Sequence, residues 1–419
     1  MTANRTYSRV ALVVPELAED GGVKTVARFL LDAMQASGRY DARIISLATS
    51  SRDDCSIRLM SPTTWLRGVR SEQRRWLADP YEHVGALLPE FEFQRYRRRR
   101  LLSKMVEGCD LVQVVCGSPA IGCAVARLGV PVVLQVATRA VVERRRQAAQ
   151  ATGLKAAWRR QMTKITDRFD ASAVRHADAV MVENRWMEDY CNEVSRGRQT
   201  RIVYAPPGVD ATTFRPSAPR VVGGDGAYTL SVGRLHDERK NVGLLLDAYR
   251  HLRGRHATFP KLVLAGATPP PASFWERAAS FGLLDAIQFI HKPALAELIA
   301  LYQGATCFAL SSDEEGFGMV LIESMACGVP AVSTRCGGPD GIIEDGTDGY
   351  LVPMNDPVGL AAKIEALCLD PDRNVRMGAC ARRKIVDQYD LPVAGSRFVN
   401  LYDELLQTPP GRPSRRSEH

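Results

Sequence analysis

The amino-acid sequence predicts an α/β protein built from two consecutive doubly wound domains. Short apolar runs alternate along the chain with segments of helical periodicity, and the pattern starts again after a stretch rich in proline and glycine near the middle. The chain has 419 residues, which is too long for one ordinary hydrophobic core. Because the apolar runs are continuous rather than alternating, we expect strands covered on both faces, as in a parallel sheet.

The first half of the chain contains the strand and helix signals in turn. Residues 10–14 (VALVV) form the first apolar run, Gly21 and Gly22 follow it, and a helical period covers 23–34. Helices between such strands give βαβ units and a doubly wound fold. Later apolar runs predict strands at 44–47, 111–115, 130–136, 179–182 and 201–204.

Residues 52–105 fit this pattern poorly. They contain Trp65 and Trp76 and a run of arginines at 97–100. We interpret the segment as an insertion of loops and helices at the mouth of the first domain. The role of this segment is open between two alternatives, which are binding of an acceptor molecule and structural packing.

A second set of strands follows a linker that begins at Pro206. Apolar runs predict these strands at 228–233, 262–266, 287–290, 306–310, 331–333 and 350–352, with helices near 241–252 and 319–327. The predicted layout is a first domain at 1–205, a linker at 206–226, a second domain at 227–390, a final helix at 391–407 and a disordered tail at 408–419. Ligands bind at the carboxyl ends of strands in such sheets, so we expect the two domains to share a cleft.

The charge of the chain is modest but unevenly distributed. There are 55 basic and 47 acidic residues, a formal charge of +8, and the arginine runs at 97–100 and 144–146 both lie in the first half. We favour solvated helix faces as the explanation. Nucleic acid is not expected as a partner, because no recognition motif accompanies the charge, whereas peripheral contact with an anionic membrane stays open.

The sequence predicts a cytoplasmic protein. The apolar stretch at 10–14 is short and is followed by Pro15 and acidic residues, unlike a signal peptide. No uninterrupted apolar run approaches the roughly 18 residues that span a bilayer. The ten cysteines form no Cys-x-x-Cys pair and no zinc pattern, which is typical of reduced thiols in a cytosolic enzyme.

The segment 311–318 carries the strongest chemical signal. It follows a predicted strand and leads into a helix, so Gly316 and Gly318 allow close approach of a ligand while the helix start offers free N–H groups to a phosphate. Glu315 stands at the strand end and Glu323 lies about one turn into the helix. Carboxylates accept hydrogen bonds from diols, so one can hold a ribose and the other a sugar. A surface loop with chance glutamates is the alternative.

Two cations flank the loop that follows the first strand of the second domain. Arg234 ends that strand and Lys240 precedes the next helix, so both can converge on one pyrophosphate. Two cations can also replace a divalent metal, and we therefore expect no metal and no other cofactor. An ordinary basic loop is the alternative. Gly22, after the first strand, is a weaker phosphate-binding signal for which a plain tight turn is the alternative.

In combination, these motifs resemble the retaining glycosyltransferases of family four, which have the GT-B fold of two Rossmann-like domains facing a cleft. The resemblance covers about 9–405, is thin between about 52 and 105, and rests on four segments: 14–26 (VPELAEDGGVKTV), 205–216 (APPGVDATTFRP), 231–241 (SVGRLHDERKN) and 315–352, which begins EGFGMVLIE. It implies a final helix that crosses back onto the first domain.

The resemblance also implies roles for individual residues. Arg234 and Lys240 would bind the donor diphosphate, and Glu315 would lie beside the donor sugar. The donor-binding set would be Gly22, Gly316, Phe317, Gly318, Met319, Val320, Glu323 for the ribose, and His291 and Lys292 beside the base. Many relatives carry a histidine after the strand that corresponds to 131–136, where this chain has Ala137, so the acceptor side is expected to be rearranged around Thr138 or Arg139.

The function implied is metal-independent, retaining transfer of a hexose from a UDP- or GDP-sugar to a glycan, glycolipid or small-molecule metabolite. A catalytically inactive GT-B partner subunit, or a nucleotide-sugar epimerase or phosphorylase on the same fold, is the alternative. A two-carboxylate glycosidase is disfavoured, because such an enzyme does not need residues that bind a diphosphate. A dehydrogenase is disfavoured because no Gly-x-Gly-x-x-Gly follows Val14.

Overall fold

The computed structural model describes residues 7–18, 21–76, 78–145, 152–217, 223–224 and 226–407, without the side chains of Leu154 and Lys155. Two separate sheets are present, with helices between most of the consecutive strands. The predicted α/β class with two doubly wound sheets is therefore confirmed. The predicted disordered tail lies outside the described residues, as does part of the predicted linker.

The first sheet has eight strands in the order β3-β4-β2-β1-β5-β6-β7-β8. Every neighbouring pair is parallel except β3 and β4. Its elements are, in chain order, β1 (Ser8–Pro15), α1 (Gly22–Ser37), β2 (Tyr40–Leu47), α2 (Pro62–Arg67), β3 (Ser71–Trp76), β4 (Asp79–Val84), α3 (Glu92–Arg95), α4 (Arg100–Met105), β5 (Leu111–Cys116), a short 3-10 helix (Pro119–Val125), β6 (Val132–Val136), α5 (Ala140–Glu143), α6 (Gly153–His176), β7 (Ala179–Val182), α7 (Arg185–Val194) and β8 (Arg201–Tyr204).

The second sheet has six strands in the order β11-β10-β9-β12-β13-β14, all parallel. Its elements are β9 (Tyr228–Val232), a 3-10 turn (Glu238–Lys240), α8 (Val242–Arg255), β10 (Lys261–Gly266), α9 (Ala272–Ser280), a 3-10 turn (Leu284–Ala286), β11 (Ile287–His291), α10 (Leu295–Gly304), β12 (Cys307–Leu310), α11 (Met319–Ala326), β13 (Ala331–Thr334), a 3-10 turn (Pro339–Gly341), β14 (Gly349–Val352), α12 (Pro357–Cys368), α13 (Pro371–Lys384), a π-helical turn (Ile385–Tyr389) and α14 (Leu391–Gln407).

The interpretation of 52–105 as loops and helices alone is wrong. The segment contributes β3 and β4, which extend the first sheet beyond β2 as an antiparallel pair. β3 is the edge strand, and five of its six residues are exposed or half-buried, so it lacks an apolar run. Arg99, from the arginine run, is buried and donates to the carbonyl oxygens of Val84 at 2.6 Å and Ala48 at 2.7 Å. One arginine of the run is therefore structural.

Each sheet is covered on both faces, as continuous apolar strands require. Residues 10–14 of β1 are fully buried, with odd positions in one apolar cluster and even positions in another. Two further clusters cover the faces of the second sheet. All ten cysteines are free thiols. Within the described ranges, no helix is both long enough and apolar enough to cross a membrane.

The chain passes between the two sheets twice, at neighbouring positions. Val209 donates its N–H to the Tyr389 carbonyl at 2.8 Å and accepts from Leu391 N–H at 3.0 Å. Gly208 is required here, because a Cβ atom would lie 2.4 Å from the Tyr389 oxygen. After this crossing α14 packs on α1, with the ring of Phe398 centred 5.5 Å from that of Phe29.

The strand orders place the ligand-binding edges of the two sheets. In the first sheet the order reverses between β1 and β5, and in the second between β9 and β12. Ligands of open α/β sheets bind at the carboxyl ends of the strands at such reversals. The loops that follow all four of these strands line one shared cavity.

Candidate functional site

The cavity between the two sheets has a volume of about 350 Å³. The first sheet contributes the start of α1 and the residues that follow β5, β6 and β7. The second contributes the loops after β9, β10 and β12 and the start of α11. Nearly all the residues predicted from the sequence line it, namely Gly22, Thr138, Arg234, Lys240, Glu315, Gly316, Phe317, Gly318, Met319, Val320 and Glu323.

Two helix N-termini reach the cavity from opposite sides. α1 begins at Gly22 and α11 at Met319, and neither helix has an acidic residue in its first turn. Gly318, the N-cap of α11, has a φ of 111°, which favours glycine because a side chain there would be strained. Free N–H groups and the positive end of each helix dipole therefore meet at one place, which suits a ligand with two phosphates.

Arg234 lines the same cavity, beside the turn that precedes α1. It follows β9, and its Nη2 atom is 3.4 Å from Asp237. A Cβ atom on Gly21, just before α1, would lie 3.8 Å from the guanidinium carbon of Arg234. The guanidinium of Arg234 thus faces the turn before α1 across the cleft.

Lys240 is held by the glutamate that was predicted to lie beside the sugar. Its Nζ atom is 2.5 Å from Glu315 Oε1, and the Ser312 hydroxyl donates to the same oxygen at 2.8 Å. Ser311 also donates to the backbone carbonyl of Lys240 at 3.0 Å. The loop after β9 and the loop after β12 are therefore tied together, and Glu315 fixes the position of Lys240.

Glu323 lines the cavity from the first turns of α11. The Tyr302 hydroxyl donates to its Oε2 atom at 2.7 Å. Burial raises the pKa of Glu323 to about 7. The group can therefore exist in both protonation states near neutral pH, and either state can accept hydrogen bonds from a diol.

Ala137 forms part of the wall where the acceptor side was expected. Gly316 approaches it closely, and Asn184 Nδ2 donates to the carbonyl oxygens of both residues, at 2.7 Å for Ala137 and 2.5 Å for Gly316. Thr138 is buried at the cavity wall. The structure does not bring Arg139 to the cleft.

Arg139 has other partners. Its Nη2 atom is 2.7 Å from Asp167, and its guanidinium stacks 3.9 Å from the centre of the Tyr190 ring. These contacts turn it away from the cavity, which it does not line. The prediction that Arg139 takes part on the acceptor side finds no support in this geometry.

His291 and Lys292 also lie outside the cavity lining. His291 ends β11 at the edge of the second sheet, two strands from β9, and Lys292 follows it. The Lys292 N–H donates at 2.8 Å to the carbonyl of Gly266, which does line the cavity. Their assignment beside a base stays a prediction.

Phe317 and Met319 pack in the hydrophobic cores as well as lining the cavity. The Phe317 side chain is buried against Tyr389, with ring centres 5.9 Å apart, so only its backbone is available to a ligand. Met319 packs against one apolar cluster from each sheet. The glycine-rich segment is therefore anchored by the side chains on either side of Gly318.

The sequence reasoning missed a charged cluster that joins the two halves of the molecule. Arg239 contacts Glu143 of α5 at 3.0 Å, Glu314 at 3.1 Å and Asp237 at 2.8 Å. Arg239 could have been noticed as the neighbour of Lys240. Its partner in α5 could not, because nothing local in the sequence indicates which residues face each other across the cleft.

The reasoning also missed Glu183, which follows β7 and lines the cavity. It is buried, and Gln135 Nε2 donates to its Oε1 atom at 3.2 Å. Burial raises the pKa of Glu183 to about 7. A carboxylate directly after a fully buried strand was the signal that could have found it.

The arrangement suits an anionic ligand that also carries hydroxyl groups. Arg234, Lys240 and two helix starts supply positive potential, and Glu315 and Glu323 supply acceptors for hydroxyls. In the part of the chain that the structure describes, no three His, Cys, Asp or Glu residues are grouped so that they could hold a metal ion.

Comparisons with known proteins agree with this geometry. Residues 21–208 match the family described as "Glycosyl transferase 4-like domain", and residues 218–384 match the family "Glycosyl transferases group 1". These two ranges together take in most of the chain.

Individual proteins are similar over shorter stretches. The "D-inositol 3-phosphate glycosyltransferase" of Corynebacterium urealyticum is 29% identical over 258 residues, which are 58% of this chain and 60% of that protein. A "GDP-mannose-dependent alpha-(1-6)-phosphatidylinositol monomannoside mannosyltransferase" of Mycolicibacterium smegmatis is 29% identical over 219 residues, 49% of this chain and 57% of that protein. The chain thus spans about three fifths of the length of these curated relatives.

The fold is shared with solved structures over nearly the whole chain. Sucrose-phosphate synthase from Thermosynechococcus elongatus superposes with a TM-score of 0.73 at 21% identity, covering 96% of this chain and 99% of that one. At this identity the likeness concerns the fold alone.

Proposed function

Because this chain belongs to the group 1 glycosyltransferases with the GT-B fold, we propose that it moves a sugar from a nucleotide diphosphate donor to an acceptor hydroxyl or amine. The transfer proceeds with retention at the anomeric carbon and without a metal ion. The observation that carries this proposal is the convergence of Arg234, Lys240 and two helix N-termini on one cavity.

These converging groups stabilise the negative charge that the reaction creates. When the bond between the anomeric carbon and the donor phosphate breaks, negative charge grows on the departing diphosphate. Cations and backbone N–H groups already fixed at this position stabilise the transition state more than the ground state. They also supply the positive charge that a divalent ion would otherwise provide, which is the reason to propose metal independence.

Retention requires the acceptor to approach the face that the phosphate leaves. The acceptor oxygen or nitrogen forms its bond to the anomeric carbon as the phosphate bond breaks, and a departing phosphate oxygen takes the acceptor proton. No protein base is needed on this route. Glu323 is proposed to bind the ribose hydroxyls, and Glu315 to lie beside the sugar while it positions Lys240.

The donor and acceptor classes are proposed from the relatives. One relative is GDP-mannose-dependent by name, and the acceptors named for the two relatives are an inositol phosphate and a phosphatidylinositol glycolipid. We propose a UDP- or GDP-sugar as donor and a glycan, glycolipid or small-molecule metabolite as acceptor. A glycolipid acceptor would place a cytoplasmic protein in peripheral contact with an anionic membrane.

A thermal-shift screen against UDP- and GDP-sugars tests the donor assignment. A ligand at about 100 times its Kd stabilises the folded state by about 2.7 kcal/mol, which is readily seen as a rise in Tm. Arg234→Ala should lose the shift and most of the transfer activity. Arg376→Ala, on an exposed position of α13, is the matched control and should keep both. Near-normal turnover of Arg234→Ala with a confirmed donor would contradict the assignment of Arg234 to the donor diphosphate.

Metal independence is tested with that same donor. Transfer should continue at its full rate after dialysis against EDTA. If activity disappears and returns only with a divalent ion, the two cations do not replace a metal and this part of the proposal is wrong.

A further inference from the structure

A second cavity, of about 860 Å³, lies within the first half of the chain and shares no lining residue with the interdomain cleft. It is bounded by the segment 94–101, the 3-10 helix Pro119–Val125 and the last turns of α6. Nothing in the proposed transfer reaction uses it.

The wall of this cavity is cationic. It contains no aspartate or glutamate among the described residues, and its basic members are Arg97, Arg98, Arg99, Arg100, Arg127 and His176. Arg99 is committed to backbone carbonyls. Arg98, Arg100 and Arg127 are exposed and, within the ranges that the structure covers, form no ion pair with a carboxylate. Their uncompensated charge calls for an anionic ligand.

The same wall is apolar between the arginines. Leu87, Leu101, Tyr96 and Phe169 contribute to it, and the rings of Tyr96 and Phe169 are centred 5.5 Å apart. A free inorganic anion would leave this surface uncovered. A ligand that joins a negative headgroup to a hydrocarbon chain would cover both parts.

An exposed apolar surface adjoins the cavity. Met60, Trp65 and Leu66, on and just before α2, are 88%, 50% and 93% exposed. Val69, two residues after α2, belongs to the cavity wall, as does Leu87, which pairs with Ile57 in a parallel bridge. Single exposed apolar residues are ordinary, but three within seven positions beside a basic cavity mark an interaction surface.

We propose that this face docks on an anionic bilayer. Met60, Trp65 and Leu66 enter the interfacial layer of the membrane, where tryptophan is favoured. Arg98, Arg100 and Arg127 bind the phosphodiester of an anionic phospholipid, and one acyl chain of that lipid lies against the apolar wall of the cavity. The docking does not depend on the transfer reaction, so it is measured as binding.

Sedimentation with vesicles tests the proposal on the full chain. Vesicles of phosphatidylcholine mixed with phosphatidylglycerol should bind the protein, and vesicles of phosphatidylcholine alone should bind it far more weakly. Arg98→Gln/Arg100→Gln should weaken binding to the mixed vesicles by about 25-fold, because each of the two basic residues near such a surface contributes about fivefold. Arg376→Gln/Arg383→Gln, with the same charge change on exposed positions of α13, should bind as the unaltered protein does.

A second matched pair of variants tests the contribution of the apolar residues to vesicle binding. Leu66→Ser should weaken vesicle binding severalfold, whereas Leu369→Ser, at a 57% exposed position of the second half, should not. Nucleotide-sugar thermal shifts of all four variants should be unchanged, which separates this inference from the proposed function. Equal binding to both vesicle types, equal loss in the two arginine pairs, or full competition by soluble glycerol phosphate would overturn it.

Discussion

Gly316 faces Ala137 across the cleft so closely that a Cβ atom on Gly316 would lie 2.6 Å from the Ala137 Cβ atom and 3.2 Å from its carbonyl oxygen. Asn184 bonds to the carbonyls of both residues from one side. The two halves of the molecule therefore meet at a point where one of them has no side chain.

This contact predicts a substitution that can be rescued. Gly316→Ala should fold normally but hold the cleft open, because its methyl group would overlap Ala137. Since a displacement of about 1 Å at a reacting centre can cost on the order of a hundredfold in rate, turnover should fall steeply. Ala137→Gly/Gly316→Ala removes the nearer of the two clashes and should recover part of the activity, as measured by kcat/KM. A double variant no better than the single one would contradict the steric explanation.

A second prediction concerns the ion pair between Lys240 and Glu315. Lys240→Gln should weaken the binding of UDP or GDP on the order of tenfold or more, because it removes a cation and leaves Glu315 uncompensated beside the diphosphate. Lys240→Gln/Glu315→Gln removes that residual charge and should bind the nucleotide better than the single variant. Calorimetric titration with the nucleotide alone, without a sugar, isolates this effect. If the double variant binds more weakly still, Glu315 contributes directly to nucleotide binding.

The parts of this site that the sequence revealed are those encoded locally. A continuous apolar run such as that of β12 (CFAL) indicates a strand buried on both faces, and the residues after it then fall at the cleft edge without knowledge of the rest of the fold. The glycines and glutamates after β12 were found in this way. β3 (SEQRRW) was missed because an edge strand facing solvent needs no apolar pattern. The contact of Glu143 with Arg239 was missed because it depends on how the two sheets are placed relative to each other.

The third prediction uses the titration of Glu323. Burial raises its pKa to about 7, and an ionised carboxylate accepts hydrogen bonds from a diol more strongly than a neutral one. Nucleotide affinity should therefore rise as the pH increases through about 7. Glu323→Gln should bind more weakly above this pH and lose the dependence, as measured by titration on either side of neutrality. A variant that keeps the same pH profile would assign the titration to another group.

The fourth prediction is a dependence of stability on pH caused by Glu183. Burial raises the pKa of Glu183 from 4.5 to about 7, so the folded state favours the neutral form. This contribution to stability is fully present below pH 4.5 and is lost as the pH rises to about 7. Glu183→Gln should therefore exceed the unaltered protein in free energy of unfolding by up to about 3 kcal/mol at pH 8, and by little at pH 4.5.

Urea unfolding at both pH values measures this difference. Glu107→Gln, at an exposed position, is the control and should show no such divergence. A Glu183→Gln variant that is less stable at pH 8 would mean that the ionised carboxylate is needed by the fold.

The paired crossing of the chain at Val209 and Tyr389 has a mechanical consequence. The two connections lie side by side. They are bonded through Val209 N–H to the Tyr389 carbonyl and through Leu391 N–H to the Val209 carbonyl, and together they form a hinge of two paired segments. Bending about the line through them leaves these bonds intact, whereas twisting or sliding would shear them. The pairing therefore favours a bending motion of the two halves, which would change the separation between Arg234 and the start of α1.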